Sequence, residues 1–518
     1  MVLFSKTNMS YGVNEVLFAS VLGAGVFAIF AAQPLVIVGV TGISWTKINR
    51  WAMAMHLVLA ITNACNALKY VTRFSCDIFG FYVAFIYLQK GIQVLTRQYN
   101  AGDTSAYLAI MVSLLVLMTA YACGVIGNSS LFQHYVRVFF KDYGTPLTIC
   151  FFTGFVHIGK MERVNLSVLP TSKSFTPTLD RGWVVDFWNV SVGDVFLAFP
   201  FAVFLTILFY FDHNVSSLIA QGTEFPLRKP AGFHWDIFLL GITTGLSGLL
   251  GVPFPNGLIP QAPFHTTSLC VTRQKTDMNK EHKGKTETVV EYVVEQRVSN
   301  LAQGLLILGT MSGPLLIVLH LIPEAVLSGL FFVMGMQALE ANGITKKILF
   351  LANDRSHTPA SDPLKRIQRR AAVWAFLGIE LLGFGATFAI TQTIAAVGFP
   401  VFILLLIPVR TFLLPKYFTE DELVILDAPT ASPFTMESVG GNYGIPGSTD
   451  VLPRVLEPPL DDEEATEGLP MKALDGRILS DDDENLMKRG DDSKLKHSGV
   501  MHKLGDAERD TIEMHRTS

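Results

Sequence analysis

The sequence predicts an all-α polytopic membrane protein, on three observations. Half of the 518 residues are hydrophobic and 16% are charged, with a mean hydropathy of +0.39, which excludes a disordered chain and fits poorly with a soluble domain. Residues 106–126 run without one charge, and about 20 apolar residues cross ~30 Å of hydrocarbon. The charges are also sorted along the chain. Residues 1–415 carry a net +8, from 29 Lys/Arg and 21 Asp/Glu, whereas residues 416–518 carry a net −12, from 11 and 23.

Taken in order, long apolar segments lie near 16–32, 51–68, 77–95, 106–126, 145–160, 193–212, 236–252, 298–322, 324–340, 371–392 and 394–414. Two shorter apolar stretches, 33–46 and 253–271, are broken by Gly and Pro. If each broken stretch completes a crossing, the linkers alternate sides. The linkers 68–76, 134–143, 225–231, 272–297 and 341–370 then collect 19 Lys/Arg, against eight on the other side. Positive charge stays cytoplasmic, so the first set and the C-terminal tail are expected in the cytosol. The N-terminus would then lie outside, and no short signal peptide is visible there.

The domain reading follows: 1–415 as the membrane domain and 416–518 as an acidic, mostly disordered cytosolic tail. The tail's DDEE (461–464) and SDDDEN (480–485) runs lack the apolar area that offsets ordering entropy. The five cysteines lie in or beside apolar runs without a CxxC pair, so they read as core and not as metal ligands or a disulfide framework. Of the Asn-x-Ser sequons, Asn165 and Asn189 fall in the external loop. No Walker loop, zinc motif, catalytic triad or nucleic-acid signature is present. The expectation is a non-enzyme with no cofactor, no metal and no nucleic-acid partner, working in a lipid bilayer.

The broken stretches carry the functional information. The first is QPLVIVGVTG (33–42) and the second GVPFPNGLIPQAPFHTT (251–267). Proline removes an amide donor and clashes with the preceding turn, so neither is a regular helix throughout. Irregular backbone at membrane depth is tolerated where protein or a water-filled cavity surrounds it. Interrupted segments in matching halves point to a transporter's central site. Each is expected to be a strand leading to a half-helix, whose free N–H groups attract an anion. Gly39 and Thr41 would open the first half-helix, and Pro260, Gln261 and Ala262 the second, with Pro260 suited to a first turn. Gln33, Thr41 and Gln261 would supply hydrogen bonds.

Asp212 ends an uncharged run, and an intramembrane carboxylate usually faces a cavity or partner. There it would bind a coupled proton or cation, or accept a bond from substrate. His213 is about 100° away on a helix and reads as structural. His265 reads as packing, and Glu380 as an interhelical hydrogen-bonding carboxylate.

AAQPLVIVGVTG (31–42), FDHNVSSLIAQ (211–221), GVPFPNGLIPQAPFHTTSL (251–269) and EQRVSNLAQGLLILGT (295–310) resemble the bicarbonate- and borate-transporting anion-exchanger family, closest to its fungal borate exporters. The resemblance implies inverted repeats of seven plus seven segments, with a core domain that carries substrate and a gate domain that often forms a homodimer contact. It places the family's acidic residue on Asp212 and a site-lining residue on Gln261. It also implies two departures. The first membrane segment is missing, leaving about 13 segments in an N-terminally truncated chain. In addition, ISWTKINR (43–50) leads straight from the strand into the next helix, so much of the first half-helix is absent. The function expected is borate export by alternating access, at the plasma membrane or the vacuolar membrane. The alternatives are bicarbonate or other anion exchange in the same family, an anion channel, or a truncated non-transporting membrane protein.

Overall fold

A computed structural model describes residues 10–42, 46–186, 188, 191–276, 286–354, 362–393, 396 and 398–440, all within one compact unit, Met1–Arg454. Eight helices there are long and apolar enough to cross a membrane, and ten spans result if two sharply bent pairs count as one each. The elements are α1 Val13–Phe30, β1 Val38–Gly42, α2 Thr46–Ile61, α3 Arg73–Gln98, α4 Asp103–Asn128, α5 His134–Phe155, α6 Val192–Ala220 and α7 Phe233–Leu250. Then follow β2 Phe254–Gly257, α8 Gln261–Ser268, β3 Cys270–Thr276, β4 Thr286–Val293, α9 Val298–Thr310, α10 Gly313–His320, α11 Glu324–Ala341, α12 Gly343–Ala352 and α13 Arg370–Thr391. The chain ends with α14 Phe399–Pro408, which runs on through a π turn, then α15 Glu420–Leu426 and α16 Pro433–Glu437.

The helices form two groups. Helices α1, α2, α6, α7, α8 and α9 pack around β1 and β2, while α3, α4, α5, α11, α12 and α13 pack on one another. These are the core and gate bundles the sequence leads one to expect. They meet where Phe79 of α3 packs edge-on against Phe211 of α6, ring centroids 5.4 Å apart, and α14 lies against both, touching α6, α3 and α13.

Linker chemistry separates two ends of the molecule. At one end the 160–190 loop ties down several helices. Asn14 donates to Ser172, Lys173 and Thr176, and Ser105 donates to the Asn165 carbonyl. Arg181 reaches the last carbonyls of α7, at Leu250 and Gly251. Gly251 closes α7 at φ +59 with its N–H on Ser247, and a Cβ there would strike Val185 and Arg181. At the other end, Arg297 donates to Ala28 and Ala31, and Asp236 accepts from the Ala32 amide. The same end as Arg297 holds the 225–231 linker, whose Arg228 and Lys229 amides donate to Glu295.

Three expectations need correction. Residues 51–68 and 298–322 are not straight spans. The first bends by 74° before a 3-10 turn, and the second bends by 86° between α9 and α10. Asn63, at φ 55, makes the first break, and the Gly309 to Pro314 stretch makes the second. The boundary at 416 also falls too early. Leu423, Leu426, Ala431, Met436 and Val439 are all buried, and Asp427 holds Arg410 at 2.7 Å. Helices α15 and α16 therefore belong to the folded body, and the DDEE and SDDDEN runs lie outside the described residues. The third correction concerns the first half-helix and belongs to the site.

Candidate functional site

β1 and β2 come from the two broken stretches and pair antiparallel, with Val38 opposite Gly257, Gly39 opposite Asn256 and Val40 opposite Pro255. This antiparallel meeting is what two oppositely oriented repeats produce. Prolines forbid a helix over 253–255, and the strand partner satisfies the amides that remain. The Leu258 amide extends the pairing onto the Ile37 carbonyl at 2.9 Å. The small residues permit close approach. A Cβ at Gly39 would lie 2.8 Å from Leu258, and one at Gly257 would lie 3.2 Å from His213 Nδ1.

Asn256 connects the strand to α6. Its Nδ2 donates to Asp212 Oδ2 at 3.0 Å, while its own Oδ1 accepts from the Gly257 amide at 2.8 Å. The second bond fixes which end of the amide faces Asp212. Asp212 Oδ1 has no described hydrogen bond, and among the described residues Asp212 makes no ion pair. His213 points elsewhere, fully buried with its ring 5.2 Å from Phe27, as adjacent helical positions require.

Downstream of β2, Pro260 caps α8 and Gln261 begins it. Gln261 reaches across the seam between the bundles, its Nε2 lying 3.8 Å from Met334 Sδ of α11. Its Oε1 is buried with no partner. Tyr87 of α3 comes within hydrogen-bonding reach of Gln261 and electrostatic reach of Asp212, its ring packed on Phe331 of α11. His265, one turn further along α8, bridges to the Leu35 carbonyl at 2.9 Å and to Ser299 Oγ at 2.7 Å. Asn300 holds the same turn through the Pro34 and Val36 carbonyls.

The residues proposed from sequence thus separate. The structure brings Asp212, Gln261, Pro260 and Gly39 together around β1 and β2. Ala262 sits behind them, fully buried, its amide spent on the Leu258 carbonyl. Gln33 turns away, donating to the Lys229 carbonyl at the basic end. The Thr41 backbone lies in β1, and its side chain falls outside the described residues, as do Asn189 and Val190. Glu380 does pair between helices, with Lys347 of α12.

The expected pair of opposed helix ends reduces to one. Only residues 43–45 separate β1 from α2, fewer than one helical turn. The N-terminus of α2 lies elsewhere, because Lys47 pairs with Asp194 at the start of α6. Asp212 is 18 residues further along that helix, roughly 27 Å at 1.5 Å per residue. The remaining end is also poor in donors. Pro260 and Pro263 carry no amide hydrogen, and that of Ala262 is taken. Gln261 alone keeps one among residues 260–263. Asn256 and Tyr87 were not singled out from sequence. An asparagine between prolines in an apolar stretch was a readable signal for the first, whereas nothing local marks Tyr87.

Two broken segments paired as strands among membrane-length helices are the arrangement of an integral-membrane transporter. The chain belongs to the family described as the HCO3- transporter integral membrane domain, whose family model matches residues 98–431. A Schizosaccharomyces pombe protein is 53% identical over 449 residues, 82% of this chain and 86% of that protein. Boron transporter 1 of Saccharomyces cerevisiae is 43% identical over 468 residues, 84% of this chain and 79% of that one. Among solved structures, the transmembrane domain of a cyanobacterial bicarbonate transporter, BicA, aligns at a TM-score of 0.33 and 16% identity, over 71% of this chain and 87% of that chain. That likeness is too slight to bear on the fold.

Proposed function

We propose that this chain exports boron as its hydroxylated oxyacid, borate or its conjugate acid, by alternating access of the two bundles around the Asp212–Asn256–Gln261 site. The observation that carries the reading is the Asp212–Asn256 hydrogen bond beside the paired strands, together with the buried, unpartnered Oε1 of Gln261 at the start of α8. A boron oxyacid offers three or four hydroxyl donors, whereas bicarbonate offers one. The similarity to Boron transporter 1 of Saccharomyces cerevisiae supports the same substrate. The basic linkers support a plasma-membrane orientation with 416–518 in the cytosol. Pairing of two copies through the gate bundle is part of the proposal.

Bicarbonate exchange is the second reading, favoured by the description of the matched family. Competition between the two anions in loaded vesicles separates them. The direct test is boron efflux from vesicles carrying the wild type and Asp212→Ala. Efflux by the wild type alone is the expected result. Equal efflux by both removes Asp212 from the mechanism, and none by either favours a non-transporting protein.

A further inference from the structure

The 160–190 loop runs from α5 of the gate bundle to α6 of the core bundle, at the end of the molecule opposite Arg297. Its first half is pinned to the gate. The Asn165 carbonyl accepts from Ser105 of α4 at 2.9 Å, and the Ser167 amide donates to Gln98 of α3 at 3.3 Å. The Ser167 carbonyl accepts from the Glu324 amide at the start of α11, and Val168 bridges to Pro323. Leu166 packs against the apolar cluster of Ala109, Val112 and Ala325.

Its second half is pinned to the core. Asn14 of α1 donates to Ser172, Lys173 and Thr176. The buried carboxylate of Glu15 accepts from both the amide and the hydroxyl of Thr178, at 2.6 and 2.7 Å. Trp183 lies against Phe18, ring centroids 4.9 Å apart, and the Val185 amide donates to the Leu249 carbonyl at the end of α7. A mere connection from α5 to α6 needs to hold neither α1 nor α7. Resting on the alternating-access reading above, we infer that residues 165–185 are a strap across the seam, which limits how far the core and gate bundles part at this end.

The strap has little slack. Between Val168 on the gate and Ser172 on the core lie only Leu169, Pro170 and Thr171. Four Cα steps of at most ~3.6 Å reach roughly 14 Å, and Pro170 is fixed in φ. While both clamps hold, the two anchors cannot part further than that. Helix α10, which joins core helix α9 to gate helix α11, is tied to the same point, where His320 Nδ1 meets the Leu169 carbonyl at 2.8 Å. The clamps also differ in kind. The core clamp uses the Glu15 carboxylate and the Arg181 guanidinium, and charge-assisted bonds are roughly twice as strong as neutral ones. The gate clamp consists of the neutral bonds of Asn165 and Ser167. The loop therefore travels with the core, and the gate clamp is the part that yields first.

The test lengthens the strap. Six residues of alternating Gly and Ser, inserted between Leu169 and Pro170, add up to roughly 20 Å of reach at little cost in loop-closure entropy. Spin labels at Asn100→Cys on the gate and Val192→Cys on the core, both exposed at this end, report the separation by double electron–electron resonance. The protein is the full chain in lipid nanodiscs, its five native cysteines replaced by alanine, with and without boric acid. The expected result is a narrow distance distribution with the native strap and an added longer component with the lengthened one. The same distribution for both, in folded protein, overturns the inference. Should the insertion not fold, the Asn14→Ala/Glu15→Ala double variant opens the core clamp in place and carries the same two outcomes. Boron efflux from vesicles is measured beside the distances. Efflux by the wild type with unchanged distances sinks the strap alone, whereas no efflux by the wild type counts against the transport reading, and the distances still decide the strap.

Discussion

Replacing Lys347 by Leu tests a buried ion pair that staples the gate bundle. Lys347 of α12 lies 2.5 Å from Glu380 of α13 and 3.4 Å from Asp77 of α3, and its side chain is 5% exposed. Glu380 is fully buried, and its Oε2 already lacks a partner. Without Lys347 both carboxylate oxygens are stranded away from water. Asp77 is less affected, because it still accepts from the Gly343 amide and keeps 12% of its side chain exposed. Breaking a buried pair by removing one partner costs about 3–5 kcal/mol, whereas replacing both partners with apolar groups is near neutral or stabilising. Lys347 also sits over the Phe376 ring at 4.7 Å, a contact that both variants lose. The gap between Lys347→Leu and the Lys347→Leu/Glu380→Leu double variant therefore reports the stranded carboxylate alone. At roughly 2 °C per kcal/mol for a large domain, the single variant should melt at least about 6 °C lower, and the double variant should recover most of that. The assay is thermal unfolding of detergent-purified protein followed by intrinsic fluorescence. Equal melting of single and double variants would refute the reasoning.

Three other changes probe the rest of the fold and the site. Asn256→Leu takes a donor from Asp212 and an acceptor from the Gly257 amide, a loss of about 1.5–3 kcal/mol. Boron efflux from vesicles should fall about tenfold or more at equal protein level, and unchanged efflux sinks the assignment. Gly23→Val forces α1 off the strands, because its Cβ would lie 2.6 Å from Pro255 and 2.9 Å from Val38. Overpacking of this kind lowers stability by about 1–3 kcal/mol, while Gly25→Ala, with nothing within 4 Å, should leave the melting temperature unmoved. Arg410→Leu strands the buried carboxylate of Asp427, which then keeps only the Phe74 amide among its strong bonds. Protease cleavage within 418–440 should speed up severalfold in that variant, and an unchanged digestion pattern would count against the docking.

How far the sequence reached differs by feature. Long uncharged runs announce membrane helices because an unpaired charge in hydrocarbon is costly, and each run named from sequence holds a helix here. The prolines at 253, 255, 260 and 263 announced a broken segment, and β2 with α8 is what they make. Bends were harder. Nothing in apolar spacing shows that residues 298–322 turn by 86°, since both arms are equally greasy. The segment after Lys416 looked like tail because its composition is acidic. Its few apolar residues, Leu423, Leu426 and Met436, nonetheless find a groove on the body.

The sequence by itself determined the class of protein, the order of its apolar segments, and the two proline-broken stretches that pair as β1 and β2. These are one-dimensional properties, because hydropathy, proline and charge act where they stand. Only the tertiary structure decided which residues meet. It set Asn256 on Asp212, turned Gln33 toward Lys229, brought Tyr87 from the other bundle, and left a single donor-poor helix end at the site. Such choices depend on strand register and on packing between segments over a hundred residues apart, and no local pattern encodes them.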